Sequence, residues 1–232
     1  MYLLTETASP FALERWAAFF ANFGQFAKGF FYTLGISIGA LIVALLLGLI
    51  FGAMSSTHNK VLRGISRVYV EIFQNTPLLV QFVVVFYGIS ILTDGHVMIP
   101  ISLTAILCVG VYTGAYISEI IRTGIEAVPK GQTEAALSQG FTYADTMRII
   151  ILPQAMRTIL PPLTNQVVNL IKNTSTVAII SGADIMFTAK AWAYDTTNYV
   201  PAFAGAAFLY FIMCFPLATW ARRKEEENKK AY

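Results

Sequence analysis

The chain has 232 residues, of which 56% are hydrophobic and only 12% charged. Soluble domains carry about 25% charged residues, so this composition points to a bilayer. The net charge of +3 is too small to argue for nucleic acid, and the two cysteines, Cys108 and Cys214, sit in apolar stretches without metal-ligand spacing and read as small buried hydrophobes.

Residues 1–27 are mixed, with no basic start, apolar run and small-residue cleavage site, so no secretion signal is expected. Trp16, Phe19, Phe20 and Phe23 recur at i, i+3, i+4, i+7, which predicts an amphipathic helix in the membrane interface. Five apolar spans come next, near residues 29–54, 68–92, 100–121, 160–181 and 200–220. Each is long enough to cross about 30 Å of hydrocarbon. The second carries Pro77 in its interior, and the fourth, opened by Pro161 and Pro162, is the least hydrophobic. Residues 182–199 read as a polar connection with Asp184, Lys190 and Asp195, and residues 222–232 as a charged tail.

Five crossings put the termini on opposite sides. Lys60, Arg63, Arg67, Arg122, Lys130, Arg148, Arg157, Arg222, Arg223, Lys224, Lys229 and Lys230 fall on one side, against Arg15, Lys28 and Lys190 on the other. The positive-inside rule then predicts the amino terminus outside and the carboxyl terminus in the cytoplasm.

The longest stretch that lipid could not hold is residues 130–153, which lies on the cytoplasmic side in this topology. Its signals are those of two short helices around a corner. Thr133 is a candidate cap with Glu134 in the first turn, Gly140 ends that helix, and Thr142 with Asp145 three residues on reads as a second start. Pro153 ends that second helix or kinks it. The exposed content is small and apolar, Ala135, Ala136, Leu137, Phe141 and Tyr143, which suits equally a docking surface or a loop helix packed on its own bundle.

Glu134-Ala135-Ala136, three residues, Gly140, nine residues, then Ile150-Ile151-Leu152-Pro153 resembles the EAA loop of permease subunits of bacterial ATP-binding-cassette importers. Residues 115–122, 75–81 and 170–175 resemble the polar amino acid permeases among them, and the likeness covers roughly residues 28–220. The resemblance implies an all-α membrane fold, the type I importer transmembrane domain. It would form one permease domain over residues 1–232, with an interfacial segment 1–27, a helical core 28–221, the coupling loop 130–153 and a cytoplasmic tail. It implies a coupling helix that sits in a cleft of a cytoplasmic ATPase through Gln132, Glu134, Ala135, Ala136, Gly140 and Phe141. The implied partners are an ATPase dimer, a second permease subunit, identical or related, and an extracytoplasmic amino acid binding protein, in the bacterial cytoplasmic membrane.

Polar residues at membrane depth cost free energy and usually face a bundle interior or a wet cavity. Asn165, Asn169, Lys172, Asn173 and Thr176 make one stripe at helical spacing, with Gln166 on its edge. Glu71, Gln74, Asn75 and Gln81 crowd a second face, with Thr76 and Pro77 able to break the helix there, and Tyr112, Tyr116, Glu119 and Thr123 repeat along a third. For a single residue an interhelical hydrogen bond of about 1 kcal/mol is the simpler reading. Three stripes together read as a substrate path, with Gln74, Asn75, Thr76, Tyr116, Asn165, Gln166, Asn169, Asn173 and Thr174 as its candidate lining. Lys172 is expected to pair with a carbonyl, Glu119 or Glu71, or to snorkel. Members of the resembled family that carry cationic amino acids would have a carboxylate near Asn173, so Asn173 and Gln166 favour a glutamine- or glutamate-type substrate.

No Gly-x-x-x-x-Gly-Lys-Ser/Thr occurs, so no ATP site of that type is expected in this chain; the resemblance implies that ATP and magnesium sit on the partner ATPase, with no cofactor or metal expected here. His58 and His96 are far apart and weak as ligands, and Glu134 has no nucleophile beside it, so an enzyme is disfavoured. The alternative is a self-contained secondary transporter or channel, which would leave a docking loop without use.

Overall fold

The computed structural model describes residues 9–230, and all regular structure among them is helical. The first eight residues of the interfacial segment and the last two of the tail lie outside the described residues. In chain order the helices are α1 (Leu13–Ala21), α2 (Phe23–Ser55), α3 (Lys60–Gln74), α4 (Leu78–Val83), α5 (Ile89–Leu92), α6 (Ile101–Glu126), α7 (Lys130–Ser138), α8 (Tyr143–Asp145), α9 (Leu152–Asn173), α10 (Ile185–Thr196) and α11 (Tyr199–Lys230). Wide π turns at Val84–Gly88 and Thr146–Ile151 run into α5 and α9, and a tight 3-10 segment, Thr174–Ile180, comes after α9.

The core is α2 packed parallel against α6, with contacts that rise together from Gly39 and Ile106 to Gly52 and Ile121, and glycines set its closeness. A Cβ on Gly48 would meet Ile117 at 2.4 Å, one on Gly52 would meet Ile121 at 2.8 Å, and one on Gly110 would meet Val43 at 2.7 Å. Lipid gives helices no hydrophobic reason to pair, so small residues that let backbones approach are what hold them. Around this pair Ile36, Ala44, Phe82, Val109, Leu170 and Val177 form one buried cluster. Phe19, Phe26, Ile185, Trp192 and Leu209 form another, joining α1, α2, α10 and α11. The outward side of α2 shows Ile38, Ile42, Leu46 and Leu49 to the surroundings, each more than half exposed, as a lipid-facing helix does.

Several expected elements differ. The first span is 33 residues, not 26, because Asn22 is the only break between it and α1. The aromatic set at the amino end divides: Phe19 is buried against Phe26 and Trp192, while Phe20 points out. The second span is broken at Asn75-Thr76-Pro77, where α3 and the α4–α5 arm meet at 97°. Among the described residues three helices are long and apolar enough to cross a membrane, four if the bent pair is one span, and α9 is not among them. Pro161 and Pro162 lie inside α9, which starts earlier, at Leu152. The polar connection 182–199 contains α10, whose Ile185, Ala189, Trp192 and Ala193 are buried.

Asp184 explains why that connection folds inward. It caps α10, accepting from the Met186 and Phe187 amides, each at 3.1 Å, and from the Tyr210 hydroxyl at 3.2 Å. It lies in the short connection ahead of α10, outside the spanning helices. Burial pushes its carboxyl up to about 6 although these hydrogen bonds favour the ion.

Candidate functional site

Two features at one end of the bundle carry chemistry: the corner between α6 and α9, and a charged cavity beside it. The corner starts at Pro129, which precedes the first turn of α7, so Thr133 lies inside the helix rather than capping it. A proline fixes φ and has no N–H to lose, which suits it to a helix start. The other end is a Schellman closure. Gly140 has φ +88°, its N–H donates to the Leu137 carbonyl at 3.1 Å, and the Phe141 N–H donates to Ala136 at 3.2 Å.

Gln132, Glu134, Ala135, Gly140 and Phe141 are exposed, as are Leu137 and Tyr143. Ala136 is buried under the corner, in contrast to its expected exposure, and its carbonyl accepts from the Phe141 N–H. Thr142 then caps α8: its hydroxyl accepts from the Asp145 amide at 3.2 Å and donates to the Asp145 carboxylate at 2.6 Å. The buried Thr146 opens the π turn, which leads without a gap into α9, with Pro153 in its first turn. π turns of this kind recur at functional sites. His58, from the connection between α2 and α3, lays its ring against Tyr143 with centroids 5.5 Å apart. Nothing in the spacing of His58 announces that contact, which only the fold creates.

The expected path residues do not form one lining. Gln74 is the one that crosses between helices, donating to the Ala115 carbonyl of α6 at 3.2 Å. Asn75 and Thr76 are exposed at the break and bond back onto Glu71 and Ile72 of their own helix. Gln81 plugs the break, donating to the carbonyls of Phe73 and Thr76. Tyr116 shares a 3.1 Å hydroxyl contact with Tyr112.

Asn165 and Asn169 are exposed and Asn173 is half-buried, whereas Gln166 is buried on the other side of α9. Thr174 is fully buried with its hydroxyl on the Ile171 carbonyl. Lys172 is exposed at the rim of a 300 Å³ hollow with Ser175, Met186, Phe203 and Tyr210. It pairs with neither expected acid, since Glu119 is held by Arg122 and Glu71 by Arg67.

The larger cavity, about 740 Å³, lies between the charged face of α3 and the end of α6, close to the corner in sequence. Arg63, Arg67, Glu71 and Gln74 line one wall and Glu119, Arg122 and Glu126 the other.

Residues 44–225 match the family described as binding-protein-dependent transport system inner membrane component. Among similar proteins is the probable glutamine ABC transporter permease protein GlnM of Bacillus subtilis, 37% identical over 216 residues, covering 92% of this chain and 97% of GlnM. The glutamate/aspartate import permease protein GltJ of Escherichia coli is 33% identical over 208 residues, covering 82% and 85%. A solved amino acid ABC transporter superposes with a TM-score of 0.84 at 31% identity, over 91% of this chain and 98% of that one. The inward-facing MetNI methionine transporter shares the fold, with a TM-score of 0.69 at 17% identity. A helical membrane bundle with a Glu134-Ala135-Ala136 corner, matched over this length, belongs to the family of inner-membrane components of binding-protein-dependent transport systems.

Proposed function

We propose that this chain is a permease subunit of an ABC importer for a polar amino acid of the glutamine or glutamate type. Hydrolysis of ATP in a cytoplasmic partner drives it, and a binding protein on the far side delivers the substrate. The carrying observation is the corner: a short helix, closed at Gly140 and exposed along Gln132, Glu134 and Ala135, that continues through a π turn into α9. A second permease subunit covers the exposed polar face of α9 with Asn165 and Asn169. The charge asymmetry of the connections supports a cytoplasmic position for the corner and for the carboxyl terminus, with the amino terminus outside.

The chain's own chemistry is positional. The corner offers small apolar side chains and Glu134 to a cleft, and the Schellman closure with the Thr142 cap keeps its two helices at a fixed angle. ATP and magnesium belong to the partner chain. Co-purification of this chain with its ATPase, loss of that ATPase on deletion of residues 131–149, and uptake of labelled glutamine or glutamate by the reconstituted complex test the proposal. Arginine as the best substrate would overturn the choice of amino acid. A deletion variant that still holds the ATPase and imports at the normal rate would overturn the role of the corner.

A further inference from the structure

The geometry points to an amino acid site in this chain, the 740 Å³ cavity between α3 and α6, which holds a zwitterionic α-amino acid with a neutral or acidic side chain on its way out. This rests on the importer reading above and adds a place and a charge preference to it. The volume lies within the range of small-molecule sites, about 300–1,000 Å³.

What marks the cavity as a site is how its charges are paired. Arg67 pairs with Glu71 four residues along α3, and Arg122 pairs with Glu119 and Glu126 along α6. Among the described residues no ion pair crosses from one wall to the other, and Arg63 has none. The two walls therefore face each other with both signs of charge and no commitment between them. The Arg67–Glu71 pair lies at the surface, where such pairs contribute little, so exchanging it for a ligand costs little, while the Arg122–Glu119 pair is only about a third exposed, at 31% and 38%, and holds Glu119 in place on its wall. Arg67 and Glu71 are mostly exposed, at 80% and 58% of their side chains.

An α-amino acid carries the complementary pattern. Its carboxylate suits the forked guanidinium of Arg63 or Arg67 on one wall, and its ammonium suits Glu119 on the other. Gln74 lines the cavity with an amide that already reaches α6, next to the break at Asn75. Lys60, Arg63, Arg67 and Arg122 against Glu71, Glu119 and Glu126 leave one cation in excess, which disfavours a cationic side chain.

The test uses the complex of this chain with its ATPase partner in nanodiscs, without nucleotide and without binding protein. Tritiated glutamine and glutamate are the probes, with tritiated arginine as the comparison. Saturable binding of the first two, weakened about tenfold by Arg63→Gln and by Glu119→Gln, is the expected result. Arg63→Lys keeps the charge but not the fork and binds with an affinity between those of the wild type and Arg63→Gln, a graded order that a folding defect would not give. Wild-type affinity in both neutralised variants, no saturable binding by the wild type, or arginine bound as tightly as glutamine overturns the inference. Uptake by the same wild-type complex in vesicles separates the two levels. Normal import with any of those results sinks this site alone, whereas no amino acid import at all sinks the importer reading and this site with it.

Discussion

Gly140 offers the sharpest perturbation of the corner, because its environment isolates one physical effect. A Cβ at this position would meet nothing within 4 Å, so the only demand on the residue is its φ of +88°. An alanine held in a left-handed backbone costs roughly 1–2 kcal/mol, which lowers the population of the closed corner about five- to thirtyfold relative to its alternatives. Asparagine tolerates that region better and should cost less. Proline cannot reach a positive φ and also loses the hydrogen bond from the Gly140 N–H to Leu137. The expected order of coupled uptake in proteoliposomes is therefore glycine, asparagine, alanine, proline, with Gly140→Pro retaining ATPase activity in the complex but little transport. Undiminished uptake by Gly140→Pro would refute the role of the corner. Equal losses in Gly140→Asn and Gly140→Pro would refute the backbone argument and point to a contact made by the glycine surface itself.

Thr142→Ala removes the cap of α8, worth about 1 kcal/mol, so the amides of residues 143–146 should exchange with deuterium faster, while Thr142→Ser should exchange as the parent does. Gly48→Val drives a branched side chain toward Ile117, where even a Cβ would lie 2.4 Å away; overpacking of about 1–3 kcal/mol or more should appear as a lower melting temperature in detergent, and an unchanged melt would mean that α2 and α6 are looser than they look. Asp184→Ala removes two amide acceptors and the partner of Tyr210, about 2–4 kcal/mol in all. Asp184 also predicts a pH dependence. The folded carboxyl keeps its proton up to about 6 while the unfolded chain releases it at the ordinary 3.8, so the folded state holds more protons in that window. Stability should fall as pH rises from about 4 to about 6 and then level off, by at most about 3 kcal/mol, and Asp184→Asn should flatten that slope.

The corner was legible because its signals are local. A glycine at the turn and a threonine three residues before an acid act through backbone geometry that no distant contact changes, and both stand where the spacing put them. The start of α7 lies four residues earlier than the expected cap at Thr133, at Pro129, a start signal that the reading of the stretch did not use. The helix at 185–196 was hidden by its charges. Asp184, Lys190 and Asp195 made the stretch look polar, although an acid ahead of Ile185, Ala189, Trp192 and Ala193 is also the pattern of a capped helix with a buried face. Hydropathy averaged over the bend at Pro77, and so gave one span where the chain makes two arms. The fate of Lys172 was not accessible from spacing at all. Glu119 and Glu71 each had a nearer cation on their own helix, at i+3 and i−4, and those short-range pairs won.

The same short-range logic bears on how movement at the corner reaches the middle of the bundle. α9 begins directly after the π turn and runs 22 residues, and Pro161 and Pro162 weaken its hydrogen-bond ladder near the middle. Just ahead of these prolines Ile159 is buried, and it lies so close to α6 that a Cβ on Gly124 would sit 2.3 Å from it. The helix is thus pinned next to its softest point. From Leu152 to Ile159 the rise is about 10 Å, and from Ile159 to Asn173 about 21 Å. Were α9 to turn as a rod about that pin, its far end would move roughly twice as far as the corner end, less whatever bending the two prolines absorb. Lys172, exposed, and Asn173, half-buried, stand at that far end, where such a turn would act most. A side chain larger than hydrogen at Gly124 would move the pin outward from α6, and the stiffness of the corner at Gly140 matters because any give there is subtracted before the lever begins.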